Sequence, residues 1–158
     1  MALLDILTAE RVAVSGPTER QVCDKPTALQ RLARLLASGQ STVTAERILE
    51  VLAERERLQS TGVGGGVAVP HGSVDRLDQQ VGALLVCPRP IPFDAIDGEP
   101  VNILFALVGP KGAPAEHLKI LARVSRLLRE ASFRQRLAQV AAADEAYELL
   151  RTTDRGMA

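Results

Sequence analysis

Val81-Gly82-Ala83-Leu84-Leu85-Val86-Cys87 has no polar residue in alternation. A strand with one wet face alternates apolar with polar, so this stretch is read as a strand covered on both faces. Val101 to Val108 (V-N-I-L-F-A-L-V) is the strongest strand signal in the chain. Strands of this kind need helices to cover them, and the flanking sequence supplies helical patterns at both ends. The expectation is an α/β layered domain, with buried strands between helices.

Moving outward from those strands, Pro88, Pro90 and Pro92 read as a stiff loop, Ile91 to Ile96 as a short strand and Asp97-Gly98 as a tight turn. Gly109-Pro110-Lys111-Gly112 is a loop before a helix that starts near Pro114 and runs to about Glu130. Its apolar arc is Leu118, Ile120, Leu121, Val124, Leu127 and Leu128, with His117 in the middle of it. Further helical stretches cover about Ser132 to Val140 and Asp144 to Arg151, and the polar tail Thr152 to Ala158 is expected to fray. Upstream, Val67-Ala68-Val69 is a short buried strand stopped by Pro70. A helix runs to Leu58 from a cap at Thr44, with Arg55 inside the arc of Ile48, Val51, Leu52 and Leu58. Another runs from Thr27 to Ala37, capped by Asp24 and closed by Gly39. Arg11 to Val14 is an edge strand, turned by Ser15-Gly16-Pro17. No linker or repeat divides the chain, so residues 1–158 are taken as one domain with an ordered core of about 4–151.

Composition narrows the function. The 158 residues are 46% hydrophobic and carry 19 basic and 19 acidic side chains, a globular composition with zero net charge. That balance argues against nucleic acid as the main partner, and 3% aromatics with no Trp argues against base stacking. The start of the chain has no secretory pattern, and the longest apolar run falls well short of the ~20 residues of a membrane span. A cytoplasmic protein without membrane insertion is expected. Cys23 and Cys87 lack the spacing of a zinc or disulfide framework and read as inert thiols.

The chain has only two histidines, and both sit in unusual places. His71 lies between Pro70 and Gly72 at a strand end, where glycine leaves room for a partner to approach. His117 sits near a helix N-terminus. Taken singly, the first reads as a loop histidine, the second as a core histidine and Arg55 as an arginine paired with Glu56. Taken together, two imidazoles and a core-side arginine suit a phosphoryl group. A neutral imidazole is a good nucleophile, and an arginine fork neutralises equatorial oxygens. Amides of Thr61 to Gly66 would add an anion-binding concavity. The stretch is neither a Walker A sequence nor a dinucleotide fingerprint, and no metal-ligand spacing or G-x-S-x-G is present. No metal and no cofactor are expected.

Residues Ala53 to Gly72, A-E-R-E-R-L-Q-S-T-G-V-G-G-G-V-A-V-P-H-G, resemble the signature of the mannitol/fructose-class enzyme IIA domain of the bacterial phosphoenolpyruvate-dependent sugar phosphotransferase system. P-F-D-A-I-D-G-E-P-V-N-I-L-F-A-L-V and E-H-L-K-I-L-A-R-V-S-R-L-L-R-E follow in the same order and spacing. The likeness covers about Leu4 to Leu150 and is strongest to the family's stand-alone nitrogen-regulatory branch. It implies a mixed β-sheet flanked by helices on both faces. It also implies a phosphorylated histidine at His71, modified on Nε2, with a phosphorylated HPr-type carrier protein as donor. By the same resemblance Arg55 and His117 are active-site residues and Thr61 is the threonine before the glycine loop; with the loop amides, the expected phosphate-binding residues are Thr61, Gly64, Gly65 and Gly66. Many members carry Asn or His where this chain has Gly65. The expected function is a regulatory phosphocarrier with protein targets rather than a small-molecule enzyme. The alternatives are a sugar-transport IIA passing phosphate to a IIB domain, and a non-catalytic binding module of the same fold.

Overall fold

In the computed structural model, which describes residues 2–16, 22 and 24–156, the two apolar runs pair as the central strands. These are β5 (Val81–Ile91) and β6 (Val101–Pro110), antiparallel from Val81 opposite Val108 to Val86 opposite Ile103. Successive side chains of a strand point to opposite faces. Ala83, Leu85, Cys87, Leu104, Ala106 and Val108 enter one core, while Leu84, Val86, Ile103, Phe105 and Leu107 enter another on the opposite face. Two cores are why the sequence shows no polar alternation.

The remaining strands are β1 (Val12–Val14), β2 (Gly62–Gly64), β3 (Val67–Ala68) and β4 (His71–Val74). The order is β1-β5-β6-β3-β2, with β4 also paired to β6. β1 is parallel to β5, β3 and β4 are parallel to β6, and β2 is antiparallel to β3, so the sheet is mixed. One face is covered by α1 (Lys25–Ala37) and α2 (Ala45–Leu58) through Leu29, Leu32, Leu36, Ile48 and Leu52. The other is covered by α3 (Pro114–Arg129), α4 (Ala131–Ala138) and α5 (Ala143–Gly156) through Ile120, Val124, Phe133, Leu137 and Leu150. Asp24 accepts the Thr27 N–H at 2.9 Å and Thr44 the Arg47 N–H at 3.1 Å, as their capping roles require. No helix among the described residues is long and apolar enough to cross a membrane.

Four local expectations are corrected. β5 continues through Pro88 and Pro90, with a register shift between Val86 and Ile91 where the prolines have no N–H to pair. The strand expected from Ile91 to Ile96 does not form: Asp94 has φ +55° and Ile96 is 77% exposed. β6 extends over Gly109 and Pro110, expected as a loop, because β4 pairs along it to Val74 opposite Pro110. The tail from Thr152, expected to fray, is helical to Gly156. Asp154, 2% exposed, holds it by accepting the Leu3 N–H at 3.0 Å and Arg123 Nε at 2.8 Å. Cys87 is buried, which pushes its thiol up to about 12. Pro17, Cys23, Met157 and Ala158 lie outside the described residues.

Candidate functional site

His71 opens β4, anchored by the Leu107 N–H donating to the Pro70 carbonyl at 2.9 Å. The histidine is half-buried, and its Nδ1 lies 2.7 Å from the Val69 carbonyl. A carbonyl oxygen only accepts, so the neutral ring carries its proton on Nδ1 and its lone pair on Nε2. Gly72 does not serve an approaching partner: a Cβ there would overlap Val51 Cγ1 of α2, so the glycine lets helix and strand close together.

Arg55 is half-buried in the last turn of α2 and donates from Nη1 to the Gln59 carbonyl at 2.8 Å. It lines a cleft of about 340 Å³ with Thr61, His71, Ile96, Leu121 and Ser125. The helical arc misplaced one neighbour. Leu58, expected on the core side, is 80% exposed, because the chain turns extended at Gln59 (φ −169°). Glu56, not Arg55, is the charged residue that enters the core, at 7% exposed.

Nor does Glu56 pair with Arg55. Its Oε1 accepts both the N–H of Thr61, at 2.8 Å, and the Thr61 hydroxyl. Its Oε2 lies 2.6 Å from Lys25 Nζ, which sits over the Phe93 ring at 4.7 Å. The Thr61 carbonyl accepts the Val69 N–H at 3.0 Å, and the Val69 carbonyl accepts the His71 Nδ1–H. A continuous polar chain therefore runs from Lys25 on α1 to the imidazole. Thr61 reaches the cleft, but its hydroxyl is committed to Glu56.

His117, 9% exposed, lies in the first turn of α3 with its ring 5.9 Å from that of His71, tilted by 48°. Its Nδ1 is 2.8 Å from Gln80 Oε1. Burial first, and the neighbouring His71 second, hold it below the ordinary value of 6.5, so it is neutral near neutral pH. The free amides at the α3 N-terminus favour negative charge nearby. Leu118, expected on the buried arc, is 65% exposed.

The glycine loop lines a depression that adjoins this cleft and shares Val63, Val69 and Ser125 with it. Gly64, Gly65 and Gly66 (φ +98°, +67° and +81°) turn the chain from β2 into β3. Gly64 and Gly65 line a neighbouring depression of about 510 Å³ with Ser125, Arg129 and Arg134. The Gly65 N–H donates to Asp97 Oδ2 at 3.1 Å, and the Gly66 carbonyl accepts from Asn102 and Ile103. His71, His117, Arg55 and Thr61 are thus brought together, and the three glycines are not. The sequence reading missed Ser125, although His117, Leu121 and Ser125 share the i, i+4, i+8 stripe of α3. It also missed Glu56 as an anchor and Gln80 altogether. Among the described residues no cluster of three His, Cys, Asp or Glu could hold a metal.

The family described as "Phosphoenolpyruvate-dependent sugar phosphotransferase system, EIIA 2" matches residues 7–152. A nitrogen regulatory protein of Bradyrhizobium diazoefficiens is 39% identical over 152 residues, 95% of each chain. The crystal structure of nitrogen regulatory protein IIA-Ntr from Neisseria meningitidis is similar at a TM-score of 0.82 and 32% identity, covering 94% of this chain and 98% of that one. IIA mannitol from Escherichia coli is similar at a TM-score of 0.72 and 25% identity, covering 91% and 98%.

Proposed function

We propose, from the premise that this chain belongs to the EIIA 2 family of the phosphoenolpyruvate-dependent sugar phosphotransferase system, that it is a regulatory phosphocarrier of the nitrogen-related branch. His71 takes a phosphoryl group on Nε2 from a phosphorylated HPr-type protein in the cytoplasm, and target proteins respond to its phosphorylation state. One observation carries the reading: the Val69 carbonyl holds the His71 proton on Nδ1, so the Nε2 lone pair serves a cleft that Arg55 also lines. In the transfer, the Nε2–P bond forms as the donor's N–P bond breaks. The electron pair of the broken bond stays on the donor's imidazole, which takes a proton from solvent. The proton of His71 stays on Nδ1, donated to the Val69 carbonyl. Arg55 and His117 hold the phosphoryl oxygens. Thr61 positions the cleft wall.

The nitrogen-regulatory reading is supported by a relative of that name matched over 95% of both chains. The likeness to IIA mannitol favours a second reading, a sugar-transport IIA that passes phosphate to a IIB domain. Incubation with phosphorylated HPr-type carrier is expected to give an acid-labile, base-stable label that His71→Ala abolishes. Label persisting in that variant sinks the assignment. Rapid loss of label to a IIB domain from the same genome favours transport over regulation.

A further inference from the structure

Gln80 immediately precedes β5, is 2% exposed, and places Oε1 2.8 Å from His117 Nδ1. Its Nε2 is buried and has no hydrogen-bond partner. Gly109 of β6 stands against it: a Cβ there would overlap the Gln80 amide, so the glycine opens the slot the amide occupies. A buried amide donor without an acceptor is costly, because it has given up its hydrogen bonds to water. Such a group calls for an explanation beyond packing.

The chemistry of the pair supplies one. A primary amide is nearly isosteric end for end, but one end accepts and the other donates. With Oε1 toward the ring, His117 carries its proton on Nδ1 and a lone pair on Nε2, which repels phosphoryl oxygens. With the amide turned by half a rotation, its N–H donates to the Nδ1 lone pair, and the ring proton sits on Nε2. The ring loses one proton to water and gains one, so its charge is unchanged. The turned amide also relieves the orphaned donor, leaving an unpartnered acceptor in its place. The other way to make Nε2 a donor is to protonate the whole ring, which burial resists.

We propose that Gln80 is a positioning residue that selects the tautomer of His117 and, by turning its amide, lets neutral His117 donate from Nε2 to a phosphoryl group on His71. This rests on His71 being the phosphorylated residue. The test is imidazole ¹⁵N NMR of the full chain labelled in histidine, before and after phosphorylation by a phosphorylated HPr-type carrier, with ³¹P NMR reporting phosphohistidine independently. In the resting protein His117 is expected as the Nδ1–H tautomer; in the phosphorylated protein it is expected neutral and Nε2–H. Gln80→Leu fills the slot without either polar end. It is expected to lose the resting tautomer preference and to slow transfer about tenfold, the worth of one hydrogen bond near 1.4 kcal/mol, with its thermal transition retained. A phosphorylated form in which His117 stays Nδ1–H or becomes imidazolium overturns the proposal. So does a Gln80→Leu protein whose His117 behaves as in wild type. Absence of the ³¹P phosphohistidine signal overturns the phosphocarrier reading itself. The resting-state comparison, which needs no phosphorylation, still decides whether Gln80 sets the tautomer.

Discussion

Burial gives His117 a stability signature that separates it from the carboxylates. Its folded value lies below the ordinary 6.5. As pH falls below 6.5 the unfolded chain binds a proton that the folded protein refuses. The stabilisation is therefore complete above pH 6.5 and is lost progressively as pH falls toward the folded value. The carboxylates held low, Glu10, Asp24 and Glu148, have ordinary values of 4.5, 3.8 and 4.5, so they act in a more acid window. Urea unfolding at pH 7.5 and 5.5 is expected to show wild type weaker at pH 5.5, with His117→Gln flattening that difference. An unchanged slope in the variant means that His117 is not the group that titrates. The two histidines were legible in the sequence because the chain has only two, and Arg55 because of its place on the helical arc and the family resemblance. Glu56 and Gln80 were not. Their roles come from contacts to Thr61 and His117 that no local spacing encodes.

At the scale of elements, α5 owes its last turn to a tertiary contact. Asp154 sits at 2% side-chain exposure against Arg123 at 18%, and it also accepts the Leu3 N–H. Breaking a buried pair from one side leaves an uncompensated charge. Asp154→Ala is expected to cost about 3 kcal/mol, the low end of the usual range because Arg123 keeps some access to water. Urea titration checks this, and a loss below about 0.5 kcal/mol, the scale of ordinary surface substitutions, contradicts it. The helices, their caps at Asp24 and Thr44, and the two central strands were readable because periodicity and capping are local signals. The extra turn of α5 and the extension of β6 were not, because both depend on partners far along the chain: Leu3 for Asp154, and β4 for Gly109 and Pro110.

For the whole molecule, large apolar side chains stay exposed beside the candidate site. Val63 and Ile96 line the His71 cleft and are 60% and 77% exposed, and Leu118, next to His117, is 65% exposed. Protein interfaces centre on apolar contacts ringed by polar ones. Ile96→Asp and Leu118→Asp are expected to raise the KM for a phosphorylated carrier while changing stability by less than about 0.5 kcal/mol. Normal KM values in both variants exclude this face as the carrier's docking site. The two-faced sheet followed from the sequence at this scale and its mixed pairing from the family resemblance, but the placement of the glycine loop in a neighbouring depression did not. Three successive positive φ angles and the Asp97 contact fold the loop toward its own depression.

His71 is held by strand pairing and a carbonyl, not carried on a loop tip. A side chain fixed in that way has little freedom to turn a new charge into a new backbone shape. On the proposed reading, phosphorylation there adds a charge of about −1.5 to −2 to a chain whose formal charge is zero. A partner that tells the two forms apart then reads the added charge at a site whose backbone stays in place. Such discrimination is strong in dilute buffer and fades as ionic strength rises, since screening shortens from roughly 30 Å at 0.01 M to about 8 Å at 0.15 M.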